Sequence, residues 1–308
     1  MSLAPDSRLG AYKVLSLLRA GATGEVYRAR DLTLGREVAL RVLPEDFVKD
    51  PKRVERFRGE VQVLTTLYHP RIAGIYGLSE SDGTHFLILE FVPGHTLAER
   101  LKAGPLAVAD ALPIARQIGE GLKVGHDKGV IHGDLKPSSV VITTHDRVKM
   151  LEFGLARAMA VAAGQAEAKN VDKRDDVWGF GRVLYEMLAG KPDVGRTLSG
   201  PPGGEPDWSA LPADTPASIL TAIKGCLEND LDQRIGDIPT ALSLLNEPAP
   251  APAVAAPTAP TSQSSSRAAV IDPKHLAPSH LAPSHLAPSH PSHPSHPSHP
   301  PHLPHRPS

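Results

Sequence analysis

Ile131-His132-Gly133-Asp134-Leu135-Lys136-Pro137-Ser138-Ser139 stands near the middle of a 308-residue chain. What flanks this stretch changes character from one side to the other. Upstream, residues 26–30 and 37–43 alternate as strands do, and residues 85–92 form an apolar strand. Between them the spacing of Phe57, Val61 and Leu64 predicts a helix over 51–67. After Gly94 the pattern turns helical, with long helices expected at 106–128 and 175–188 and shorter ones at 216–227 and 238–245. Thr215 followed by Pro216 reads as an N-cap and then proline at the first helical position. A strand-rich part with one helix, followed by a helical part, defines a two-lobed α+β domain. Its expected bounds are 9–246, with an N-lobe of about 9–92 and a C-lobe of about 93–246.

Gly119, Gly121 and Gly125 lie inside the expected helix at 106–128, with Pro113 near its start. Each interior glycine costs about 1 kcal/mol relative to alanine. Close packing and a merely marginal domain both account for them.

Composition ends the domain near Asn246. From Glu247 onward the chain is mostly Pro, Ala, Ser and His. Such a segment buries too little apolar area to offset its ordering entropy, so 247–308 is expected to be a disordered tail. It holds a His-Leu-Ala-Pro-Ser repeat from His275, His280 and His285, then a His-Pro-Ser repeat from His290, His293 and His296. A period of three matches polyproline II and would line His290, His293, His296, His299, His302 and His305 along one stripe. That stripe suits weak metal binding or a pH-dependent charge, but a drifting simple-sequence repeat is the better reading, because nothing fixes the geometry that a metal site needs. The net charge of −1 gives no field for nucleic acid or anionic membrane. No run is long and apolar enough for a membrane span. Cys226 is the only cysteine, which excludes an internal disulfide and points to a reducing, cytoplasmic setting.

Four further stretches frame the opening one. Arg19-Ala20-Gly21-Ala22-Thr23-Gly24-Glu25-Val26 is a glycine-containing turn. Val38-Ala39-Leu40-Arg41 follows it, and Leu87-Ile88-Leu89-Glu90-Phe91-Val92 comes later. Glu152-Phe153-Gly154 lies beyond the opening stretch. In this order and spacing they resemble the motifs of the bacterial, eukaryotic-like Ser/Thr protein kinases over residues 9–246.

That resemblance implies a set of roles. Gly21 and Gly24 match glycines that let the backbone approach nucleotide phosphates. Arg41 stands at the lysine that contacts phosphates, and Glu60 at the helix glutamate that pairs with it. Arg41–Glu60 reads equally as a plain ion pair holding the helix. Glu90 and Val92 match hinge positions that meet an adenine edge through backbone groups. Val26, Ala39 and Val141 match residues that sandwich the ring, and would be core in any case. Asp134 matches the acceptor of the substrate hydroxyl proton, and Lys136 the cation beside the transferred phosphoryl group. Glu152 and Ser139 stand at the two metal-ligand positions. Leu64, Ile75, His132 and Phe153 match a largely apolar column joining the lobes.

The departures are as informative as the matches. Arg19 replaces the first glycine, Arg41 the lysine, Gly133 an arginine, Ser139 an asparagine and Glu152 an aspartate. An arginine fork does not place its donors as an ammonium does. Glutamate moves the carboxylate by about a bond length (~1.5 Å), and Mg²⁺ tolerates little error in geometry. The matching end of the activation segment falls near Ala162-Ala163-Gly164, so a short loop is expected. No Ser, Thr or Tyr occurs from Glu152 to Leu184, so the loop has no phosphosite for an arginine at 133 to read. Asp176 matches a buried helix anchor, and Arg234 a late arginine whose usual glutamate partner is missing. The glycine–proline run at 200–204 argues against a helix there.

Three functional readings follow. The first is a pseudokinase: a regulator or scaffold that binds ATP, engages an unidentified protein partner, and transfers phosphate weakly or not at all without ordinary Mg²⁺ handling. The second is an active Ser/Thr kinase with atypical Mg²⁺/ATP handling. The third is a metal- or pH-responsive protein acting through its His-rich tail.

Overall fold

The structure, a computed structural model, describes residues 3–21, 24–165, 172–190 and 206–246. The N-terminal part is an antiparallel sheet of six strands in the order β1-β2-β3-β4-β6-β5. These are β1 (Arg8–Leu9), β2 (Tyr12–Gly21), β3 (Gly24–Asp31), β4 (Glu37–Val42), β5 (Ile75–Ser81) and β6 (Thr84–Glu90). β2 and β3 form the hairpin whose turn carries the glycines. At its foot Gly21 pairs with Gly24. Gly24 has φ +109°, and a Cβ there would lie 2.1 Å from the Val42 carbonyl oxygen. Both backbone angle and space therefore demand glycine at this position.

Two helices interrupt the sheet. After the short α1 (Glu45–Val48), α2 (Pro51–Leu64) starts where Asp50 accepts a hydrogen bond from the Lys52 N–H. Proline stands at its first position, as helix starts favour. α2 buries Val54, Phe57, Val61 and Leu64. The apolar spacing predicted three further residues. Leu67 is indeed buried, but the helix has ended and Leu67 packs from the following turn.

The C-terminal part is helical, apart from a small sheet in the order β7-β8-β9: β7 (His95–Thr96), β8 (Val140–Ile142) and β9 (Val148–Met150). Its helices are α3 (Leu97–Leu101), α4 (Val108–Asp127), α5 (Leu155–Ala162), α6 (Lys173–Ala189), α7 (Ala217–Cys226) and α8 (Ile238–Asn246). A strand-rich N-lobe and a helical C-lobe are thus present. One buried cluster runs through both, from Phe57, Leu64 and Ile75 to Phe153, Phe180 and Ile223.

The glycines of α4 are packing residues. A Cβ on Gly125 would meet the Phe153 ring at 2.3 Å, and one on Gly121 would meet Met150 Cε at 2.3 Å. One on Gly119 would meet the Leu242 side chain at 2.6 Å. They let β9, α8 and the segment around Phe153 lie against the helix backbone, so close packing is the reading that holds.

Two expectations are corrected. Thr215 does not cap α7: its hydroxyl donates to the Pro212 carbonyl oxygen at 2.7 Å, and Pro216 is the N-cap. Nor is the stretch after Gly154 a plain loop. Residues Leu155–Ala162 form α5, burying Leu155, Ala158 and Ala162. Leucine, alanine, arginine and methionine dominate this segment, and all are strong helix formers. The expected tail at 247–308, its histidine repeats and the glycine–proline run at 200–204 lie outside the described residues.

Candidate functional site

The stretch at 131–139 is held from beneath by α6. Asp176, buried on that helix, accepts from the backbone N–H groups of His132 at 2.7 Å and Gly133 at 2.9 Å, and bonds His126 Nε2 at 2.8 Å. Gly133 has φ +78°, a conformation that side chains resist. Next to it Lys136 Nζ meets Asp134 Oδ2 at 2.5 Å, and both side chains are half exposed. His132 is buried with its ring 5.0 Å from that of Phe153. Burial pushes its pKa below the usual imidazole value, because a charged ring would be desolvated there.

Above this loop lies a cavity of about 300 Å³. Gly21, Gly24, Val26, Arg41, Asp134, Lys136, Ser139 and Glu152 line it, so most of the residues singled out in the sequence converge. Arg19, His132 and the 3₁₀ turn at Pro137–Ser139 complete one side, and Ala156 and Met159 of α5 close another. Of the remaining expected residues, Ala39 and Val141 are buried and Val92 is partly buried. The Glu90 carboxylate is held by Lys149 at 2.6 Å and by the Gly74 N–H at 2.9 Å. Glu60 is half buried on α2 and does not line the cavity.

The charged groups are partnered differently from the sequence expectation. Arg41 Nη1 lies 2.6 Å from Glu152 Oε2, and Arg19 Nη2 bonds the other oxygen, Glu152 Oε1. Arg19 Nη1 also reaches the Ser138 carbonyl oxygen at 3.5 Å. An arginine from the glycine turn and one from β4 therefore grip one carboxylate of the C-lobe. Arg41 is 5% exposed, Glu152 19% and Arg19 37%, so the grip runs from the interior to the mouth of the cleft. The expected Arg41–Glu60 bridge gives way to Arg41–Glu152, and Glu60 has no ion pair among the described residues. Longer by one methylene than aspartate, Glu152 extends toward the guanidinium forks. Its backbone has φ +59°, an uncommon left-handed conformation for a residue with a Cβ.

α5 packs on α2, and Arg56 of α2 donates to the Ala162 carbonyl oxygen at 3.0 Å. This contact satisfies an acceptor at the C-terminal end of α5. Arg234 donates to the carbonyl oxygens of Glu228 at 2.8 Å, Arg174 at 3.3 Å and Asn229 at 3.4 Å. Sequence reasoning missed the reach of Arg19 and the lining role of Ala156 and Met159. For the latter pair the i, i+3 spacing on one helical face was a usable signal. For Arg19 there was none, because its partner lies across the fold.

Two lobes around a cleft, with a β-hairpin above and a carboxylate–ammonium loop below, define the class: a two-lobed α+β fold with its polar residues gathered between the lobes. The model of the protein kinase domain matches residues 12–168, and the chain belongs to that family. It is 37% identical over 213 residues to the serine/threonine-protein kinase pkn2 of Myxococcus xanthus, covering 61% of this chain and 26% of that protein. It is 33% identical over 199 residues to the serine/threonine-protein kinase PrkC of Bacillus subtilis, covering 59% and 31%. The chain thus spans about a quarter to a third of the length of these relatives. The crystal structure of the Mycobacterium tuberculosis PknI kinase domain superposes with a TM-score of 0.66 at 26% identity, covering 80% of this chain and 98% of that one. No described helix is long and apolar enough to cross a membrane.

The family implies ATP and Mg²⁺, and the two fit these residues unequally. A divalent cation needs free oxygen donors. Both oxygens of Glu152 are engaged by guanidinium groups. The buried Ser139 hydroxyl accepts from the Lys136 N–H at 3.1 Å and donates to the Lys136 carbonyl oxygen at 2.8 Å. The donor set at the two expected ligand positions therefore does not fit Mg²⁺ in this arrangement.

Proposed function

We propose that this chain is a pseudokinase: it binds ATP in the interlobe cleft, acts as a regulator or scaffold for a protein partner, and transfers phosphate weakly or not at all. The observation that carries this reading is the double grip on Glu152. The carboxylate that would hold a metal is neutralised by Arg19 and Arg41. The Arg41 fork, which would meet the phosphates, is turned to the same partner. Losing one transition-state contact typically costs a few kcal/mol, or ~100–1,000-fold in rate, and here the metal and phosphate contacts are altered together.

The nucleotide fits the remaining residues. Buried Val26, Ala39 and Val141 would sandwich the base. Glu90 and Val92 would meet its edge through the backbone, where the Val92 N–H has no partner among the described residues. Gly21 and Gly24 would sit over the phosphates.

A second reading, an active Ser/Thr kinase, is favoured by one observation: Asp134 and Lys136 face the cavity together. Purified protein incubated with γ-labelled ATP, Mg²⁺ or Mn²⁺ and a general Ser/Thr substrate decides between them. The pseudokinase reading predicts incorporation no higher than in Asp134→Ala. Incorporation abolished by that substitution would establish the active kinase.

A further inference from the structure

Among the described residues the cavity is lined by three cations, Arg19, Arg41 and Lys136, and two carboxylates, Asp134 and Glu152. Lys136 and Asp134 neutralise each other across 2.5 Å. Two guanidinium groups, those of Arg19 and Arg41, meet on the Glu152 carboxylate. Guanidinium groups are matched to phosphate as well as to carboxylate, binding either through two parallel N–H donors. Arg19 enters from the first glycine position of the turn, above the phosphate side of the cleft. Arg41 enters from the sheet, opposite it. Their common partner Glu152 is an acceptor that an incoming phosphate can replace or join.

We propose that Arg19 and Arg41 take the place of the divalent cation: the cleft binds the polyphosphate tail of a nucleoside triphosphate free of metal, with Glu152 as the resident counter-ion. This rests on the reading of the cleft as a nucleotide site and adds how the phosphates are held there. Two fixed guanidinium groups supply the charge that a metal supplies elsewhere. Their seat on Glu152 keeps them in place before the ligand arrives, so less ordering is needed on binding. Arg19 also ties the turn to the catalytic loop through the Ser138 carbonyl, so the same residue that meets the phosphates holds the turn down over them. A free divalent cation is then a competitor for the triphosphate rather than its bridge to the protein.

Isothermal titration with ATP and with adenosine, in EDTA and in excess Mg²⁺, tests this on the full chain and on Arg19→Gly, Arg19→Lys and Glu152→Gln. The expected result is that ATP binds the unaltered protein in EDTA at least tenfold more tightly than adenosine, and no more tightly when Mg²⁺ is added. Arg19→Gly should lose about tenfold for ATP in EDTA while adenosine is unchanged, and Arg19→Lys should recover part of that loss. Glu152→Gln should tighten metal-free ATP, because it releases both forks from a competing charge. Adenosine binding in the unaltered protein separates the two levels of the argument. If adenosine binds but metal-free ATP binds no better, or if Arg19→Gly leaves metal-free ATP within twofold, the guanidinium assignment is overturned and the nucleotide site stands. If neither ligand binds under any condition, both are overturned.

Discussion

The apolar half of the cleft and its charged half have diverged in different ways. Val26, Ala39 and Val141 are buried side chains set by strand register. Arg19, Arg41, Glu60 and Glu152 are long side chains, and their partners are not those expected. The lesson concerns what fixes a group. A residue whose position follows from backbone geometry tolerates few exchanges. A flexible charged residue can be re-partnered by a change several strands away. Arg19 from the glycine turn and Arg41 from β4 meet on the one Glu152 carboxylate.

The largest effect is expected where the charged half depends on buried backbone. Asp176→Ala strips the acceptor from two backbone N–H groups and from His126 in a buried site. Breaking such a site costs about 3–5 kcal/mol. Urea denaturation should show this loss. A loss below about 1 kcal/mol would mean that the loop bearing Asp134 is held by something other than α6, and the contrast between backbone-fixed and free groups would fail.

A smaller effect separates tight packing from adaptable packing within α4. Gly125→Ala drives a Cβ into the Phe153 ring, and overpacking of about 1–3 kcal/mol should exceed the gain of about 1 kcal/mol in helix propensity. Gly119→Ala meets the branched end of the partly exposed Leu242 side chain, Cγ and both methyl groups, which can turn away. Thermal denaturation should rank Gly125→Ala well below Gly119→Ala. The reverse order would show that Phe153 is not the fixed element beneath the cleft.

The smallest effect is electrostatic. His132 is buried and its folded-state pKa is depressed. Below an unfolded value of about 6.5 the unfolded chain therefore binds protons that the folded one does not. Stability contributed by keeping this ring neutral is complete above that value and falls as pH drops toward the folded-state pKa. Denaturation midpoints measured from pH 7.5 to 5 should fall, and fall less in His132→Phe. An unchanged acid dependence in the variant would assign the loss to other groups.

Much of the scaffold was legible. Apolar alternation marked β3 and β4 to within two residues, and the kinase-like spacing located the carboxylate–ammonium loop. The misreadings share a cause. Leu67 and Leu106 extended the apparent periods of α2 and α4 because they are buried, although both lie outside the helices. Burial is what periodicity detects, and a turn residue can be buried too. α5 carried an evident helical composition, but the expected activation loop displaced that reading. The pairing of Arg19 and Arg41 with Glu152 was beyond sequence reasoning, because residues 19 and 152 meet only through the closing of the two lobes. Cys226, by contrast, behaves as a lone buried thiol should, with burial pushing its pKa up to about 12. It is inert packing against α6.

The central claim is that the charged half of the cleft holds phosphate without a metal bridge. A thermal-shift titration with ATP, run in EDTA and again in millimolar Mg²⁺, tests it most directly, since a ligand that binds only the folded state raises its midpoint by mass action. The account predicts a concentration-dependent rise in EDTA that Mg²⁺ does not increase. A rise that appears only with Mg²⁺ would contradict it.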